Sequence, residues 1–174
     1  YQKPTGYKFN ELSFKFIIMV GIILIFNNNE NNLNFDLITQ TLNAATELHF
    51  CLVNNGSSDN TLYFLNEVKQ ESLNKTSVLD IKKYKSAVFA LKSAARYLNS
   101  TEKIKHYGYL EIENSNSITI LNRLIDSNND TPIQLNLKHF VNPQEDRLII
   151  KNTFFLMDYI NTILNNNTIG VVSN

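Results

Sequence analysis

The chain has 174 residues, of which 43% are hydrophobic, and its 16 basic and 16 acidic side chains give a formal net charge of zero. This length predicts one globular domain, and the presence of only 5 glycines and 3 prolines excludes a collagen-like chain. The balanced charge argues against a general nucleic-acid binder, which carries an excess of basic residues. The single cysteine, Cys51, excludes an intramolecular disulfide framework. We therefore expect a globular protein whose partners do not include nucleic acid.

The amino-terminal part of the chain divides into a polar leader, residues 1–15, and an apolar run, residues 16–26 (FIIMVGIILIF). The run is too short for a membrane-spanning helix, which needs about 20 apolar residues. It has the length of a signal-peptide core, but no small-x-small cleavage pattern follows it. Its richness in isoleucine favours a strand buried on both faces of a parallel sheet. We therefore expect a single domain over residues 16–174 and a cytoplasmic location.

Short apolar runs alternate with longer amphipathic segments along the chain. The apolar runs predict strands at 16–26, 48–53, 77–81, 107–112 and 133–140. The amphipathic segments predict helices at 34–46, 60–72, 85–98, 117–127 and 147–164. Such alternation is typical of right-handed βαβ units, in which helices cover a parallel sheet. The sequence therefore predicts an α/β fold with a mostly parallel sheet flanked by helices.

The segment that follows the second predicted strand is a candidate ligand site. Open parallel sheets bind ligands outside the carboxyl ends of their strands. Residues 53–61 (VNNGSSDNT) place amide side chains and backbone N–H groups at the start of a helix, where they can contact a polar base edge or an anion. An ordinary β-to-α turn, with Asp59 as the helix cap, accounts for the same residues. On these residues alone, the turn is the simpler interpretation.

Two acidic residues mark the end of the fourth predicted strand. Glu111 and Glu113 are separated by one residue, so in an extended chain their side chains point the same way. Two such carboxylates can bind a hard divalent cation together with a diphosphate. Two solvated glutamates on an exposed edge would give the same sequence, and that alternative stays open.

Four motifs follow one another at or near the predicted strand ends. They are LIFNN at 24–28, VNNGSSDNT at 53–61, YKSA at 84–87 and EIE at 111–113. Their order and spacing resemble those of family 2 inverting glycosyltransferases, in which the corresponding motifs are Pro-x-Tyr-Asn-Glu, Val-Asp-Asp-Gly-Ser-x-Asp-x-Thr, Asn-x-Gly-Lys and Asp-x-Asp. The nucleotide-binding half of that family has the GT-A fold. The resemblance therefore implies a GT-A-like (Rossmann-like) three-layer sandwich.

The resemblance also implies an enzyme, a transferase that moves a sugar from a nucleotide-diphosphate donor to a glycan or lipid-linked acceptor. It assigns base stacking to Phe26 and places the other nucleotide contacts at Asn28, Asn54, Asn55 and Glu111. It assigns Glu113 to a divalent metal, Mg²⁺ or Mn²⁺, which would bridge to the diphosphate and act as a Lewis acid. It identifies no general base, so the catalytic residues stay unassigned.

Several positions depart from the family pattern and keep a second interpretation open. Asn54 stands where the family has an aspartate at the base, and Ser86 and Ala87 replace a glycine and a lysine. These changes are expected of a catalytically inactive relative that binds a nucleotide or a protein partner. A sugar nucleotidyltransferase is a third candidate, but it requires a glycine-rich basic loop after the first strand, which residues 27–32 lack.

The last predicted helix supplies a candidate contact surface. Phe154 and Met157 are expected on its exposed side. A surface of this kind fits either a peripheral contact with a membrane or a contact with a second copy of the chain, as in a homo-oligomer.

Overall fold

The computed structural model describes residues 20–45, 48–73, 75–102, 104, 106–126 and 153–155. The strands are β1 (Val20–Phe26), β2 (His49–Asn55), β3 (Thr76–Ile81), β4 (His106–Ile112) and β5 (Thr153–Phe155). The helices are α1 (Phe35–Ala44), α2 (Thr61–Glu71), α3 (Ala87–Glu102) and α4 (Ser115–Asp126). The first four predicted strands and the first four predicted helices are therefore confirmed, with boundary differences at most of them.

The five strands form one parallel sheet in the order β3-β2-β1-β4-β5. From β1 the chain builds outward to β3 and then returns to place β4 on the other side of β1. The strand order therefore reverses between β1 and β4, which is the topological switch point of a Rossmann-like sheet. This arrangement confirms the predicted α/β fold with a parallel sheet between layers of helices.

Strand β1 is the centre of the sheet and is buried on both faces. Ile22, Leu24 and Phe26 face a core that also contains apolar side chains of α1, α2 and α4. Ile23 and Ile25 face the opposite core, which is covered by α3. Because successive strand residues point to opposite faces, a strand between two layers must be apolar at every position. This requirement accounts for the isoleucine-rich run that predicted a buried strand.

Helix α4 packs on the same face of the sheet as α1. Its buried residues Ile118, Leu121 and Ile125 belong to the core shared with α1 and α2. Strand β5 lies beyond β4, in the direction opposite to β2. A single right-handed crossover in that direction would place its helix on the α3 face instead. Helix α4 is therefore not the helix of a simple β4-α4-β5 unit.

The prediction of a helix over 147–164 is wrong at Thr153–Phe155. These residues form β5, which pairs in parallel with Tyr107–Tyr109 of β4. Periodicity alone does not distinguish a strand from a buried helix in an apolar run of this kind. The pairing with β4 shows that these three residues form a strand. Phe154 accordingly lies in a strand and not on the surface of a helix. The rest of that segment, including Met157, lies outside the described residues, as do the predicted strand at 133–140 and the leader at 1–15.

None of the helices in the described part of the chain combines the length and the apolar character that crossing a bilayer requires.

Candidate functional site

The loops that follow β1 to β4 lie at one edge of the sheet, which we call the carboxyl rim. It comprises residues 27–34, 56–60, 82–86 and 113–114. The strand register aligns Phe26 with Asn54 on one side and with Ile112 on the other. This alignment brings the motif-bearing ends of β1, β2 and β4 to a single edge of the sheet. The rim at the β1–β4 switch point is the candidate functional site.

Phe26 occupies the core beneath the rim. Its side chain has no exposed surface and packs in the core between the sheet and helices α1, α2 and α4. Stacking on a nucleotide base requires an accessible ring face, which Phe26 does not have here. The expectation of base stacking is therefore corrected: Phe26 faces inward because it continues the alternation of Ile22 and Leu24 along β1.

Hydrogen bonds join the loop that follows β1 to the loop that follows β2 and to the first residue of α2. Asn28 accepts hydrogen bonds at Oδ1 from the Ser58 backbone N–H (2.8 Å) and hydroxyl (3.3 Å), and its own N–H donates to Ser57 Oγ (3.0 Å). The backbone N–H of Asn29 donates to the hydroxyl of the buried Thr61 (2.8 Å). Asn28 has a φ of 51°, in the left-handed region that asparagine tolerates better than most residues. The side-chain oxygen of Asn28 therefore holds the two loops together.

Two carboxylates reinforce this loop contact. Asp59 accepts hydrogen bonds from the backbone N–H of Glu30 (3.0 Å) and of Thr61 (3.0 Å). Glu30 in return accepts from the backbone N–H (3.1 Å) and side-chain amide (2.7 Å) of Asn60. Partial burial by itself would raise the pKa of Asp59, but the hydrogen bonds from Thr61 and Glu30 outweigh it and the pKa is lowered. The N-cap residue of α2 is Asn60 and not the predicted Asp59, but Asp59 accepts the first N–H of the helix, that of Thr61, and also anchors the neighbouring loop.

Asn54 is engaged by the neighbouring strand β3. Its side chain is buried, and Nδ2 donates to Oδ1 of Asp80 (2.8 Å) while Oδ1 accepts from the Ser57 N–H (3.3 Å). Asp80 also forms an ion pair with Lys82. Burial would raise the pKa of Asp80, but the hydrogen bonds from Lys82 and Asn54 prevail and the pKa is lowered. An amide at position 54 therefore complements an ionised carboxylate at position 80.

Replacing Asn54 with aspartate, the residue of the glycosyltransferase motif that the sequence resembles, should destabilise this chain. Asn54→Asp places two carboxylates at the present 2.8 Å contact and removes the amide donor. We expect the free energy of unfolding to fall by about 2 kcal/mol at neutral pH in urea titrations. The loss should shrink as the pH falls and one carboxyl becomes protonated, because like charges raise the pKa of the pair.

The matched control for this substitution is the double variant Asn54→Asp/Asp80→Asn, which exchanges the two groups. It should recover most of the lost stability, because one amide again faces one carboxylate. Equal destabilisation of the single and double variants would show that the Asn54–Asp80 contact is not the cause.

Asn55 holds the β3–α3 loop against β2. It is buried, its Nδ2 donates to the Lys85 carbonyl (2.8 Å), and its Oδ1 accepts from the Lys85 N–H (3.1 Å). Gly56, the next residue, has a φ of 69° and lies directly against the backbone of Lys83 and Tyr84. The expected contact of Asn54 and Asn55 with a base edge is therefore corrected, since hydrogen-bonding groups on both side chains are already used within the protein.

Glu111 and Glu113 are the exposed acidic residues at the end of β4. Glu111 pairs with Ile25 in the sheet, so it lies on the α3 face, opposite to Phe26 and Asn54. The following loop is tied to the β1 loop by a hydrogen bond from the Ser115 hydroxyl to the Asn32 carbonyl (3.2 Å). The two glutamates therefore stand at the switch point, beside the loop that follows β1.

A divalent metal fits this rim only if a bound nucleotide supplies part of its coordination shell. Among the residues that the structure describes, no three His, Cys, Asp or Glu side chains cluster as a metal site. Glu113 is exposed and can supply a carboxylate, but Mg²⁺ takes about six oxygen ligands and usually keeps several waters. The remaining ligands would have to come from a diphosphate and from water. The residues present are thus compatible with a metal that arrives with its nucleotide.

Asp80, at the end of β3, and its partner Lys82 in the rim were not predicted from the sequence. Asp80 lies near the end of a strand, where a polar residue interrupts the apolar run, and that interruption was the available signal. Its pairing with Asn54 depends on the register of β3 against β2, which no local pattern states. The role of Glu30 likewise depends on which loop lies beside its own.

Searches of the whole chain against models of known protein families and against curated proteins find no match. What the fold and the rim define is therefore a class, a parallel α/β domain with a polar carboxyl rim at its switch point.

Proposed function

We propose that the carboxyl rim binds a nucleotide-diphosphate sugar and that the protein is a glycosyltransferase, which transfers the sugar to a glycan or lipid-linked acceptor. The observation that carries this proposal is the position of Glu111 and Glu113. They are exposed at the end of β4, next to the strand-order reversal where parallel sheets of this kind bind their ligands. The order of the four motifs along the chain supports the same proposal.

In this proposal the rim residues have two kinds of role. Asn28, Asn54 and Asn55 give the loops their shape through the hydrogen bonds described above. Glu113 would bind the metal that accompanies the diphosphate, and Glu111 would lie toward the ribose. The metal, when bound, would neutralise the negative charge that develops on the departing nucleotide. This division leaves backbone groups and exposed side chains of the rim, and not Phe26, to contact the base.

A catalytically inactive relative that binds a nucleotide or a protein partner is the second candidate. The observation that favours it is the engagement of Asn54 and Asn55, whose amides bond to Asp80 and Lys85. In this candidate the two amides stabilise the loops of the rim and do not contact a base. The two candidates differ in turnover and agree in the location of the ligand.

The proposal predicts that a nucleoside diphosphate stabilises the protein in the presence of Mn²⁺. At a ligand concentration 100 times the Kd, we expect the Tm to rise by about 5 °C or more. Uridine and guanosine diphosphates should be compared, each with and without the metal, in thermal unfolding experiments. Glu113→Gln should remove the part of the rise that depends on Mn²⁺. Glu71→Gln, which changes another exposed carboxylate at the end of α2, should leave it unchanged.

Release of nucleoside diphosphate from a nucleotide sugar separates the two candidates. Turnover that Glu113→Gln abolishes and Glu71→Gln retains would support the glycosyltransferase. Binding without turnover would support the inactive relative. No change in the Tm with any nucleotide would refute the glycosyltransferase and would favour an inactive relative that binds a protein partner.

A further inference from the structure

The first turn of α3 and the loop before it carry a concentration of exposed apolar side chains. The large hydrophobic residues with substantial exposure in the described part of the chain are Tyr63, Leu73, Tyr84, Val88 and Phe89. Three of them, Tyr84 (66% exposed), Phe89 (46%) and Val88 (38%), lie within six residues of one another. The inner side of α3 is fully used, because Ala90, Leu91, Ala94, Ala95 and Leu98 are buried against the sheet. The exposed group is therefore a separate outward surface.

Basic residues surround these apolar side chains. Residues 81–101 contain 5 of the chain's 16 basic residues and no acidic residue, although the whole chain is neutral. Lys83 and Lys85 are exposed, and Lys85 Nζ lies 5.8 Å from the centre of the Phe89 ring. Lys92 and Arg96 follow Val88 at intervals of four, so they continue the same side of the helix. Lys82 differs from the others, since it is paired with Asp80.

We propose that this surface binds the anionic face of a lipid bilayer. It consists of Lys83, Tyr84, Lys85, Val88, Phe89 and Lys92, and we call it the basic-aromatic patch. Apolar and aromatic side chains enter the boundary between head groups and acyl chains, while lysines on their flexible stems reach the negative head groups. The match of charge is the reason for choosing a lipid surface, because lysines beside exposed apolar side chains favour an anionic interface.

The patch overlaps the carboxyl rim at residues 83–85, because the β3–α3 loop belongs to both. The backbone of Tyr84 lies against Gly56 of the β2 loop, and Lys85 is held by Asn55. A protein bound through this patch would therefore keep its rim near the membrane surface. The inference does not depend on the proposed function, since binding to lipid requires neither a nucleotide nor turnover.

Sedimentation of the full chain with vesicles tests the proposal. We expect binding to phosphatidylcholine vesicles that contain phosphatidylglycerol and little binding to vesicles of phosphatidylcholine alone. Binding should weaken strongly near 1 M NaCl, where the screening length falls to about 3 Å. Lys83→Gln and Lys92→Gln should each weaken partitioning by about fivefold, and Tyr84→Ser by about tenfold.

The chain offers matched controls for these variants. Lys69→Gln changes an exposed lysine on α2, and Tyr63→Ser changes a tyrosine that is 60% exposed, similar to Tyr84. Both controls should partition within about twofold of the parent. Absence of vesicle binding, or binding that the patch variants leave intact, would overturn the proposal. Lysine-dependent binding to a single-stranded oligonucleotide that is tighter than binding to vesicles would also overturn it, in favour of a nucleic-acid surface.

Discussion

Replacing Phe26 with alanine is expected to lower the free energy of unfolding by about 3–5 kcal/mol. The ring is fully buried in the core formed by β1, β2 and β4 with helices α1, α2 and α4. Its removal loses the transfer free energy of the ring and leaves a cavity that closely packed neighbours fill only in part. Urea unfolding of the purified variant measures the change directly.

Phe89→Ala is the matched control for this substitution. Its ring is 46% exposed on α3, so its truncation should change stability by about 0.5 kcal/mol or less. A Phe26→Ala variant that keeps its stability but loses nucleotide binding would contradict the core position of Phe26. Such a result would restore the base-stacking role that the resemblance to glycosyltransferases implied.

Replacing Gly56 with alanine is expected to lower the free energy of unfolding by about 3 kcal/mol. A Cβ atom at this position would lie 2.0 Å from the backbone nitrogen of Tyr84 and 2.4 Å from the carbonyl carbon of Lys83. The φ of 69° adds the strain of a left-handed residue. Because both close contacts are to backbone atoms, the β3–α3 loop must move, and urea unfolding should register the cost.

Gly56→Asn separates the two causes. Asparagine tolerates a positive φ better than alanine does, but its Cβ meets the same backbone atoms. We therefore expect Gly56→Asn to be nearly as unstable as Gly56→Ala. Clear recovery of stability in the asparagine variant would show that strain in φ, and not the contact with Tyr84, limits the position. Gly21→Ala should cost less stability than Gly56→Ala. A Cβ atom at position 21 would lie 2.9 Å from Cδ1 of Leu98, a terminal methyl carbon that can rotate away.

The first four strands could be predicted from the sequence because a strand that is buried in the sheet requires a short run of mostly apolar residues. Strand β1 is apolar at each of its seven positions, and a short apolar run between polar loops is typical of a buried strand. Helices α1 to α4 were found for a similar reason, since their buried residues recur at helical spacing. Strand β5 was missed because it has only three residues and is a strand through its pairing with β4.

The candidate site was predicted less completely than the fold. The rim itself was found, because the carboxyl ends of parallel strands must meet at one edge. The sequence did not predict which face of the sheet each side chain would lie on. Successive residues of a strand point to opposite faces, so an error of one residue places a side chain on the wrong face. Phe26 and Asn54 therefore lie on one face and Glu111 on the other, although all of them belong to the same set of strand ends.

In the asparagine-rich loops, too, the sequence predicted the type of local structure but not the hydrogen-bond partners of single residues. Their composition indicated turns, and turns are what the structure has at Asn28 and Gly56. Which loop each asparagine would join was decided by the strand order, which brings the β1 loop to the β2 loop and the β2 loop to the β3–α3 loop. Hydrogen bonds between residues about 30 positions apart depend on that order and leave no local pattern.

The sequence by itself determined that this protein is a parallel α/β domain with polar groups at its strand ends, because spacing along the chain records which residues must be buried. Only the tertiary structure decided that Asn54 faces Asp80, that Phe26 belongs to the core, and that the exposed acids at the switch point are Glu111 and Glu113. Those outcomes depend on strand order, register and face, which arise from contacts between segments distant in the chain.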